Sequence, residues 1–360
     1  MPAYAADSAR LLPPLALTMG DPAGIGPDIT VLAWRDRLRL DLPPFVVFGD
    51  ADVLAERARA LGIAAAVKVV ADVDNGVEEF RQSLPVVGIP TARPVVPGRA
   101  DVANASAVIG AIDAAADAVA REAAAALVTN PIAKSVLTAA GFAHRGHTDY
   151  LAHLAERLWP GCRYHPVMML ASPELRVVPL TVHLPLSAVP GAVTRSLILT
   201  TARILHDALR RDFAIPSPRI AVAGLNPHAG ENGTIGREER DIVAPAIAEL
   251  NGEGLAIAGP YSADALFHAA ARRGYDVVLA MYHDQALIPL KTLAFDRGVN
   301  VTLGLPFVRT SPDHGTAFDI AGRGTASPAS LIAALRLAAE LAARRRPRPL
   351  LARDEAPSAL

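Results

Sequence analysis

Three histidines each stand at or just beyond the end of an apolar run that is typical of a buried β-strand. His183 follows RVVPLTV, His228 follows RIAVAGL and His283 follows DVVLAMY. Because the carboxyl ends of parallel strands lie along one edge of a sheet, we expect these imidazoles to converge. Neutral imidazole is a good ligand for Zn²⁺ and similar ions, and three protein ligands leave positions open for a substrate. The pattern predicts a catalytic metal site, although any one of these histidines alone is more often structural.

A second group of side chains is suited to binding an anion. Lys291 and Arg309 carry fixed positive charges, and His147, Thr148 and Asn300 offer hydrogen-bonding groups. Cations and polar donors beside a metal ion are typical of a site for a small phosphorylated or carboxylated substrate. Either cation taken alone could equally belong to an ordinary surface salt bridge. The two groups together predict a site for both a metal ion and an anion.

The segment HGTAFDIAGRGTASP, residues 314–328, is rich in glycine and other small residues. Such residues let a flat ligand approach the backbone closely, and the Asp319 carboxylate could accept hydrogen bonds from a ribose. A loop that only leads into the last helix is the alternative. Asp264 and Asp284 are further candidates for contacts with the metal or the substrate, but Asp264 could equally cap a helix predicted over residues 263–273.

The motif GDPAGIGPDIT, which follows the predicted strand LALTMG, contains three glycines and two prolines. A glycine-rich turn from a strand to a helix can present backbone N–H groups to an anion. The motif matches neither the phosphate loop with its Lys-Ser/Thr nor the dinucleotide pattern G-x-G-x-x-G. A purely structural turn is therefore an equal alternative, with a helix beginning near Pro27.

Apolar strand-like runs alternate with helical stretches along most of the chain. FVVFG precedes a helix that Asp50 is predicted to cap, and ALVTN precedes a helix that opens with PIAK. This alternation predicts βαβ units and a mostly parallel sheet, which is the α/β class. Residues 71–101 are rich in proline, glycine and charge, and they are predicted to form an irregular arm.

The composition excludes several classes of protein. The chain has 360 residues, 51% of them hydrophobic, and its formal net charge of −1 argues against a nucleic-acid binder. The single cysteine, Cys162, rules out an internal disulfide and a cysteine-based metal site. We find no signal peptide and no uninterrupted apolar run long enough to span a bilayer. The expected location is therefore the cytoplasm.

Several longer motifs together resemble one enzyme family. They are TMGDPAGIGPD, GHTDYL, TVHLPL, GLNPHAGE, GPYSADALF, MYHDQ and DRGVNVTLGLPFVRTSPDHGTA, and they extend from about Leu15 to the last helix. The chain resembles the 4-hydroxythreonine-4-phosphate dehydrogenase (PdxA) family, and residues 314–328 resemble the adenosine-binding loop of the isocitrate/isopropylmalate dehydrogenase superfamily. One position departs from the family pattern, because the family often has Ala, Leu or Gly where this chain has Asn130.

The resemblance implies a fold and an assembly. The fold is α/β, with two α/β/α domains arranged as in isocitrate/isopropylmalate dehydrogenases and a cleft between them. The first domain would comprise residues 1–145 and 320–346, the second residues 146–319 with the metal site and the dimer interface, and residues 347–360 a disordered tail. The resemblance also implies a homodimer whose active site is completed by the second subunit.

The resemblance further assigns roles to the candidate residues. One divalent ion per site, Zn²⁺, Mg²⁺ or Co²⁺, would be held by His183, His228 and His283, the last from the other subunit. The remaining roles are substrate binding by His147, Thr148, Lys291, Asn300 and Arg309, catalysis by Lys291 and Asp264, and binding of NAD or NADP by His314, Gly315, Thr316 and Asp319.

The reaction implied is the oxidative decarboxylation of 4-(phosphooxy)-L-threonine to 3-amino-2-oxopropyl phosphate and CO₂ in pyridoxal 5'-phosphate (vitamin B6) synthesis. Lys291 or a water on the metal would supply the final proton. The alternatives are a paralogue acting on D-threonate or D-erythronate 4-phosphate, a non-catalytic module that binds metal and phosphate, and a phosphate acyltransferase. The last would leave the three strand-end histidines unexplained.

Overall fold

The computed structural model describes residues 12–144 and 146–345, which form twelve β-strands and eleven α-helices. The predicted tail over residues 347–360 lies outside this part of the chain. The strands are β1 (Leu15–Thr18), β2 (Phe45–Gly49), β3 (Val67–Val70), β4 (Leu84–Gly88), β5 (Leu127–Thr129), β6 (Val167–Ala171), β7 (Arg176–Thr181), β8 (Arg219–Ala223), β9 (Ala256–Tyr261), β10 (Val277–Tyr282), β11 (Val299–Leu303) and β12 (Arg309–Pro312). The helices are α1 (Gly26–Arg35), α2 (Ala51–Ala60), α3 (Asp74–Glu79), α4 (Ala105–Ala120), α5 (Lys134–Ala139), α6 (His147–Leu158), α7 (Val189–Ala192), α8 (Arg195–Arg211), α9 (Ala244–Gly252), α10 (His283–Ala294) and α11 (Ala329–Arg345).

All the described strands join a single sheet in the order β3-β4-β2-β1-β5-β12-β11-β6-β7-β10-β8-β9. Strand β11 is antiparallel to both of its neighbours, and β6 is antiparallel to β7. The other neighbouring pairs are parallel. The predicted α/β class with a mostly parallel sheet is confirmed. Because β7, β10 and β8 are parallel neighbours, the chain leaves all three at the same edge.

Local sequence signals account for the first βα units. Strands β1 and β2 are buried along their whole length, as their uninterrupted apolar sequences require. The Asp50 side chain caps α2 by accepting hydrogen bonds from the backbone N–H groups of Asp52 at 2.9 Å and Val53 at 3.2 Å. Helix α1 carries Pro27 in its first turn, where proline lacks only an N–H that has no helical partner. These predictions are confirmed.

Two local predictions are wrong. Residues 71–101 are not an irregular arm throughout, since they contain α3 and the sheet strand β4. The apolar run of β4 is short and contains Pro85, which hid it in the sequence. Residues 263–273 form only two short 3₁₀ turns instead of one helix. There the buried Leu266 packs between strands and its carbonyl accepts a hydrogen bond from the Tyr275 hydroxyl at 2.7 Å, so tertiary contacts override the helical propensity of alanine.

The glycine-rich turn before α1 is a structural junction. The N–H of Ala23 donates to the Asp21 carboxylate at 3.0 Å, and the N–H of Gly24 donates to the Asp21 carbonyl at 3.0 Å. The N–H of Ile25 donates to the carbonyl of Thr316 at 2.9 Å. Since these groups are engaged within the protein, the structural interpretation of the turn fits better than an anion-binding one.

A buried ion pair fixes this junction to its surroundings. Asp28 of α1 and Arg57 of α2 are both almost fully buried and bonded to each other. Arg57 also donates to the carbonyls of Gly24 at 3.0 Å and Pro22 at 3.2 Å. The Asp28 carboxylate accepts from the N–H of Gly322 at 2.7 Å. The pair therefore connects two helices, the turn and the loop that precedes α11.

Among the described residues, one helical stretch, Val102–Ala120, is long and apolar enough to cross a membrane by length and composition alone. It contains α4, which packs against β1, β2 and α6. Its buried residues are mostly alanine and valine, which suit close packing of a helix on a sheet. The stretch is therefore a core helix of the fold.

Candidate active site

A cleft of about 860 Å³ opens where β5 and β12 face β6, β7 and the start of α10. Its walls contain eight of the residues predicted to form the site. They are His147, Thr148, His183, His283, Asn300, Arg309, His314 and Gly315. The structure therefore places the predicted anion-binding residues other than Lys291, and two of the three predicted metal ligands, in the same cleft.

Arg309 is a buried cation without a carboxylate partner among the described residues. Its guanidinium donates to the hydroxyls of Thr302 at 2.9 Å and Thr129 at 2.6 Å, while its buried Nε has no partner there. Only 3% of the residue is exposed. Burial lowers the pKa of Arg309 to about 10, so the side chain is still charged at neutral pH. A buried charge that the protein does not neutralise is suited to an anionic ligand.

Other buried polar atoms of the cleft lining have no hydrogen-bond partner among the described residues. They include Nε2 of His147 and Oδ1 of Asn300. His147 is the first residue of α6, Gly146 occupies the N-cap position, and Thr148 lies in the first turn of the helix. Unpaired buried groups that line a cleft are available to a ligand.

The surroundings of His147 keep its imidazole neutral. Burial, and next the charges of Arg309 and Lys134, hold the pKa of His147 well below its usual value. At neutral pH the ring therefore offers one donor and one acceptor to a ligand without adding a charge.

This depressed pKa predicts an acid-dependent loss of stability. Below a pH of about 6.5, the unfolded chain binds a proton at His147 while the folded chain does not. The free energy of unfolding therefore decreases as the pH is lowered, by up to about 1.4 kcal/mol per pH unit for this group. The free energy of unfolding is measured in urea at pH 7.5 and at pH 5.5. Its decrease between these two pH values is expected to be about 1 kcal/mol smaller for His147→Gln than for the wild type. The exposed His268→Gln serves as the control. Equal losses in wild type and His147→Gln would contradict the assignment.

His183 and His283 are adjacent within one chain. Their ring centroids are 5.8 Å apart and the rings are tilted by 42°. Burial, and next the charges of Lys134 and His283, lower the pKa of His183, which favours the neutral ring that a metal requires. Nδ1 of His283 lies 2.8 Å from the Asp284 carboxylate, and a carboxylate in this position would orient the other ring nitrogen for a metal. Two of the three predicted ligands thus suit a divalent ion.

His228 lies outside the lining of this cleft, in a loop with an unusual backbone. Residues 228–232 are all left-handed, with φ from 39° to 75°, although only Gly230 among them is a glycine. L-residues rarely adopt this conformation in succession, because each costs about 1–2 kcal/mol. The loop contacts the turn that carries Asp264. Within the described residues of one chain, no group of three His, Cys, Asp or Glu side chains could hold a metal ion.

The buried carboxylate of Glu239 holds this loop. It accepts hydrogen bonds from the backbone N–H of Asn226 at 2.7 Å and from the Asn226 side chain at 3.0 Å. A Cβ on Gly230 would lie 2.5 Å from Oε2 of Glu239, so the loop passes too close for a side chain there. The Glu239 carboxylate therefore holds the loop that carries His228 through its contacts with Asn226 and Gly230.

Lys291 and the remaining predicted cofactor residues, Thr316 and Asp319, are not part of the cleft lining. The Lys291 ammonium lies 2.7 Å from the Asp313 carboxylate and donates to the Asp313 carbonyl at 2.6 Å. Thr316 supports the glycine-rich turn through its carbonyl, and Asp319 is exposed beyond it. The predicted roles of Lys291, Thr316 and Asp319 therefore stay predictions.

The cleft contains two residues to which the sequence analysis gave no role. Lys134 was not considered, and Asn130 was noted only as a departure from the family pattern. Lys134, the first residue of α5, lines the cleft together with His147 and His183. Asn130 begins the connection from β5 to α5, where its amide donates to the Thr30 hydroxyl at 2.9 Å and its buried Oδ1 has no partner among the described residues. The available signal was their position directly after strand β5, at the edge of the sheet where ligands bind.

Comparison with known proteins supports one family. The family model described as pyridoxal phosphate biosynthetic protein PdxA matches residues 41–338. The 4-hydroxythreonine-4-phosphate dehydrogenase of Methylorubrum populi is 57% identical over 333 residues, which cover 92% of this chain and 95% of that protein.

Solved structures give the same result. The 4-hydroxythreonine-4-phosphate dehydrogenase of Klebsiella pneumoniae is 37% identical with a TM-score of 0.81, covering 93% of this chain and 99% of that one. A terephthalate 1,2-cis-dihydrodiol dehydrogenase of Burkholderia xenovorans LB400 is 30% identical with a TM-score of 0.60, covering 91% and 97%.

The α/β fold and the similarity to these dehydrogenases over nearly the whole chain define the protein as a dehydrogenase. The chain belongs to the pyridoxal phosphate biosynthetic protein PdxA family. The resemblance found in its sequence motifs is thereby confirmed.

Proposed function

We propose that the protein oxidises and decarboxylates 4-(phosphooxy)-L-threonine, using NAD⁺ or NADP⁺, in pyridoxal 5'-phosphate biosynthesis. The names of its relatives support this substrate. The observation that carries the proposal is Arg309, a fully buried cation in the cleft whose described partners are only hydroxyls. With His147 and Asn300 beside it, Arg309 forms a receptor for a phosphate group.

The rest of the substrate would extend from Arg309 towards His183 and His283. A divalent ion held by the histidines would act as a Lewis acid on the substrate hydroxyl, and a bound nicotinamide would accept the hydride. The role of the chain is to fix the two ends of the substrate. Arg309 anchors one end, and the two imidazoles define the other, where the reacting carbons must lie.

We further propose that the protein works as a homodimer in the cytoplasm and that the second subunit completes the metal site. Several large apolar side chains between residues 182 and 295 are exposed, namely Val182, Leu184, Leu186, Ile235, Tyr261, Ile288 and Phe295. Such a concentration favours contact with another chain. The resemblance implied that His283 comes from the partner subunit. Because His183 and His283 are adjacent in one chain, we instead assign the ligand from the partner to His228. Asp264 would accompany His228.

Mixed dimers of two inactive variants test this assignment. His228→Ala is expected to lose metal and activity while keeping its fold, as measured by metal content and circular dichroism. If His228 comes from the partner, His183→Ala co-expressed with His228→Ala forms mixed dimers with one intact site, which restores about a quarter of the activity at random assortment.

The pair His183→Ala with His283→Ala is the matched control and is expected to stay inactive. Recovery in this control pair alone would assign His283 to the partner. Unchanged metal content in His228→Ala would remove that residue from the metal site.

The substrate is tested by incubating metal-loaded protein with NAD⁺ or NADP⁺ and 4-(phosphooxy)-L-threonine, with D-threonate and D-erythronate 4-phosphates in parallel. The formation of reduced nicotinamide is followed by absorbance, and the amount of CO₂ released is measured in parallel. We expect turnover of the amino acid. Turnover of the sugar-acid phosphates alone would overturn the substrate while leaving the class of reaction.

A further inference from the structure

We propose that Lys134 is a catalytic residue and that its ammonium group gives the proton that replaces the carboxylate after CO₂ leaves. This inference rests on the proposed decarboxylation. It assigns a role that the sequence had reserved for Lys291 or for water.

The position of Lys134 carries the proposal. It lines the cleft at the start of α5, and the predicted anion-binding residue His147 and the predicted metal ligand His183 line the same cleft. A Cβ on Gly146 would lie 2.9 Å from Cε of Lys134 and 3.5 Å from its Nζ. The side chain therefore lies against the backbone directly before His147, in space that only glycine leaves free.

Lys134 shares the cleft with both ends of the proposed substrate site, since Arg309 and His147 line it at one end and His183 and His283 at the other. Burial is the largest cause of the lowered pKa of His147, followed by the charges of Arg309 and Lys134. Lys134 therefore lies in the cleft that contains both the arginine end and the imidazole end. Under the proposal, the reacting carbons of a substrate that spans these two ends lie within reach of Nζ.

The ammonium is also free to act. Among the described residues, no hydrogen bond or ion pair engages Nζ of Lys134. Lys291, in contrast, lies outside the cleft lining and is bound to both the carboxylate and the carbonyl of Asp313. Arg309 does not release protons, and burial keeps His147 neutral. Lys134 is therefore the better placed ammonium.

The composition of the chain points in the same direction. The sequence has only three lysines, Lys68, Lys134 and Lys291, while arginine supplies the other 32 of its 35 Lys and Arg residues. Arginine would provide the same charge at position 134. What lysine adds is an ammonium group that can give up a proton and recover it.

The step balances as follows. In the β-keto acid formed by the oxidation, the carbon–carbon bond to the carboxylate breaks and CO₂ leaves. The electron pair of the broken bond forms the enolate. The proton passes from Nζ of Lys134 to the carbon that carried the carboxylate, which yields the ketone and a neutral amine. Solvent then returns a proton to the amine.

The test separates the first turnover from continuous turnover in Lys134→Arg, which keeps the charge but not the proton donor. We expect the first formation of reduced nicotinamide to stay within about tenfold of wild type, and the steady-state rate to fall by about 10²–10⁴-fold. Metal content and thermal stability should be unchanged. Lys68→Arg, on an edge strand and paired with Glu79, is the matched control and should behave as wild type.

Chemical rescue gives an independent readout. Lys134→Cys in a Cys162→Ser background should be slow and should regain steady-state turnover after treatment with bromoethylamine, which rebuilds a lysine-like side chain. A Lys134→Arg variant with wild-type steady-state turnover would overturn the proposal, since charge alone would then suffice. Equal loss of the first turnover and the steady state in that variant would also overturn it. Absence of turnover by wild type on any of the three phosphates would instead refute the proposed function.

Discussion

Replacing Arg309 by methionine is expected to abolish most activity and, at the same time, to make the protein more stable. The guanidinium is buried against two hydroxyls, and no described carboxylate neutralises it. Its removal should lower kcat/KM by about 10³-fold, because the substrate phosphate loses its buried charged partner. The free energy of unfolding should rise by about 1–2 kcal/mol, because an uncompensated buried charge is replaced by an apolar side chain.

The measurements are steady-state kinetics and urea unfolding of the same preparation without substrate. Arg297→Met is the matched control, since Arg297 forms an exposed pair with Glu174 and its loss should change stability by less than about 1 kcal/mol. A variant that loses stability as well as activity would show that Arg309 supports the fold rather than the ligand.

Replacing Arg57 by methionine should have the largest effect on stability. The change leaves the Asp28 carboxylate buried without its cation and removes the donors that hold the carbonyls of Gly24 and Pro22. Breaking one side of a buried pair typically costs about 3–5 kcal/mol, and we expect that loss in the free energy of unfolding. Binding of a nicotinamide should also weaken, because Asp28 anchors the loop at Gly322.

The double variant Arg57→Met with Asp28→Leu distinguishes the pair from its individual charges. It should recover most of the lost stability, since neither charge is then left unpaired. Arg203→Met is the control, because Arg203 pairs with Glu253 at the surface, where solvent screens the pair, and its loss should change stability little. A loss in Arg57→Met no greater than in this control would contradict the buried pair's role.

Local signals in the sequence were sufficient for the α/β class, most strands and most of the cleft. Strand-end placement correctly grouped His183 with His283, because parallel strands end at one edge irrespective of the details of packing. The predicted anion-binding group is gathered only in part, because His147, Thr148, Asn300 and Arg309 line the cleft while Lys291 does not, and its role in binding stays a prediction.

The rest depended on contacts between distant parts of the chain. Nothing local to His228 reveals that Glu239 holds its loop in a left-handed conformation. Lys134 was passed over because a lysine in a helix is normally a solvated surface residue, and only the cleft shows otherwise. Strands β11 and β12 were missed because their sequences contain Asn300, Arg309 and other polar groups that serve the site.

The unbroken sheet has a mechanical consequence. We retain the division into residues 1–145 with 320–346 and residues 146–319 as a proposal, and under it the hydrogen-bonded strands β5-β12-β11-β6 cross from one domain to the other. Narrowing or widening of the cleft then deforms a continuous hydrogen-bonded surface instead of turning two free bodies about a flexible link. Such a surface resists bending elastically, so closing the cleft around a substrate would strain the sheet. The return of the sheet to its unstrained shape would reopen the cleft and favour release of the product.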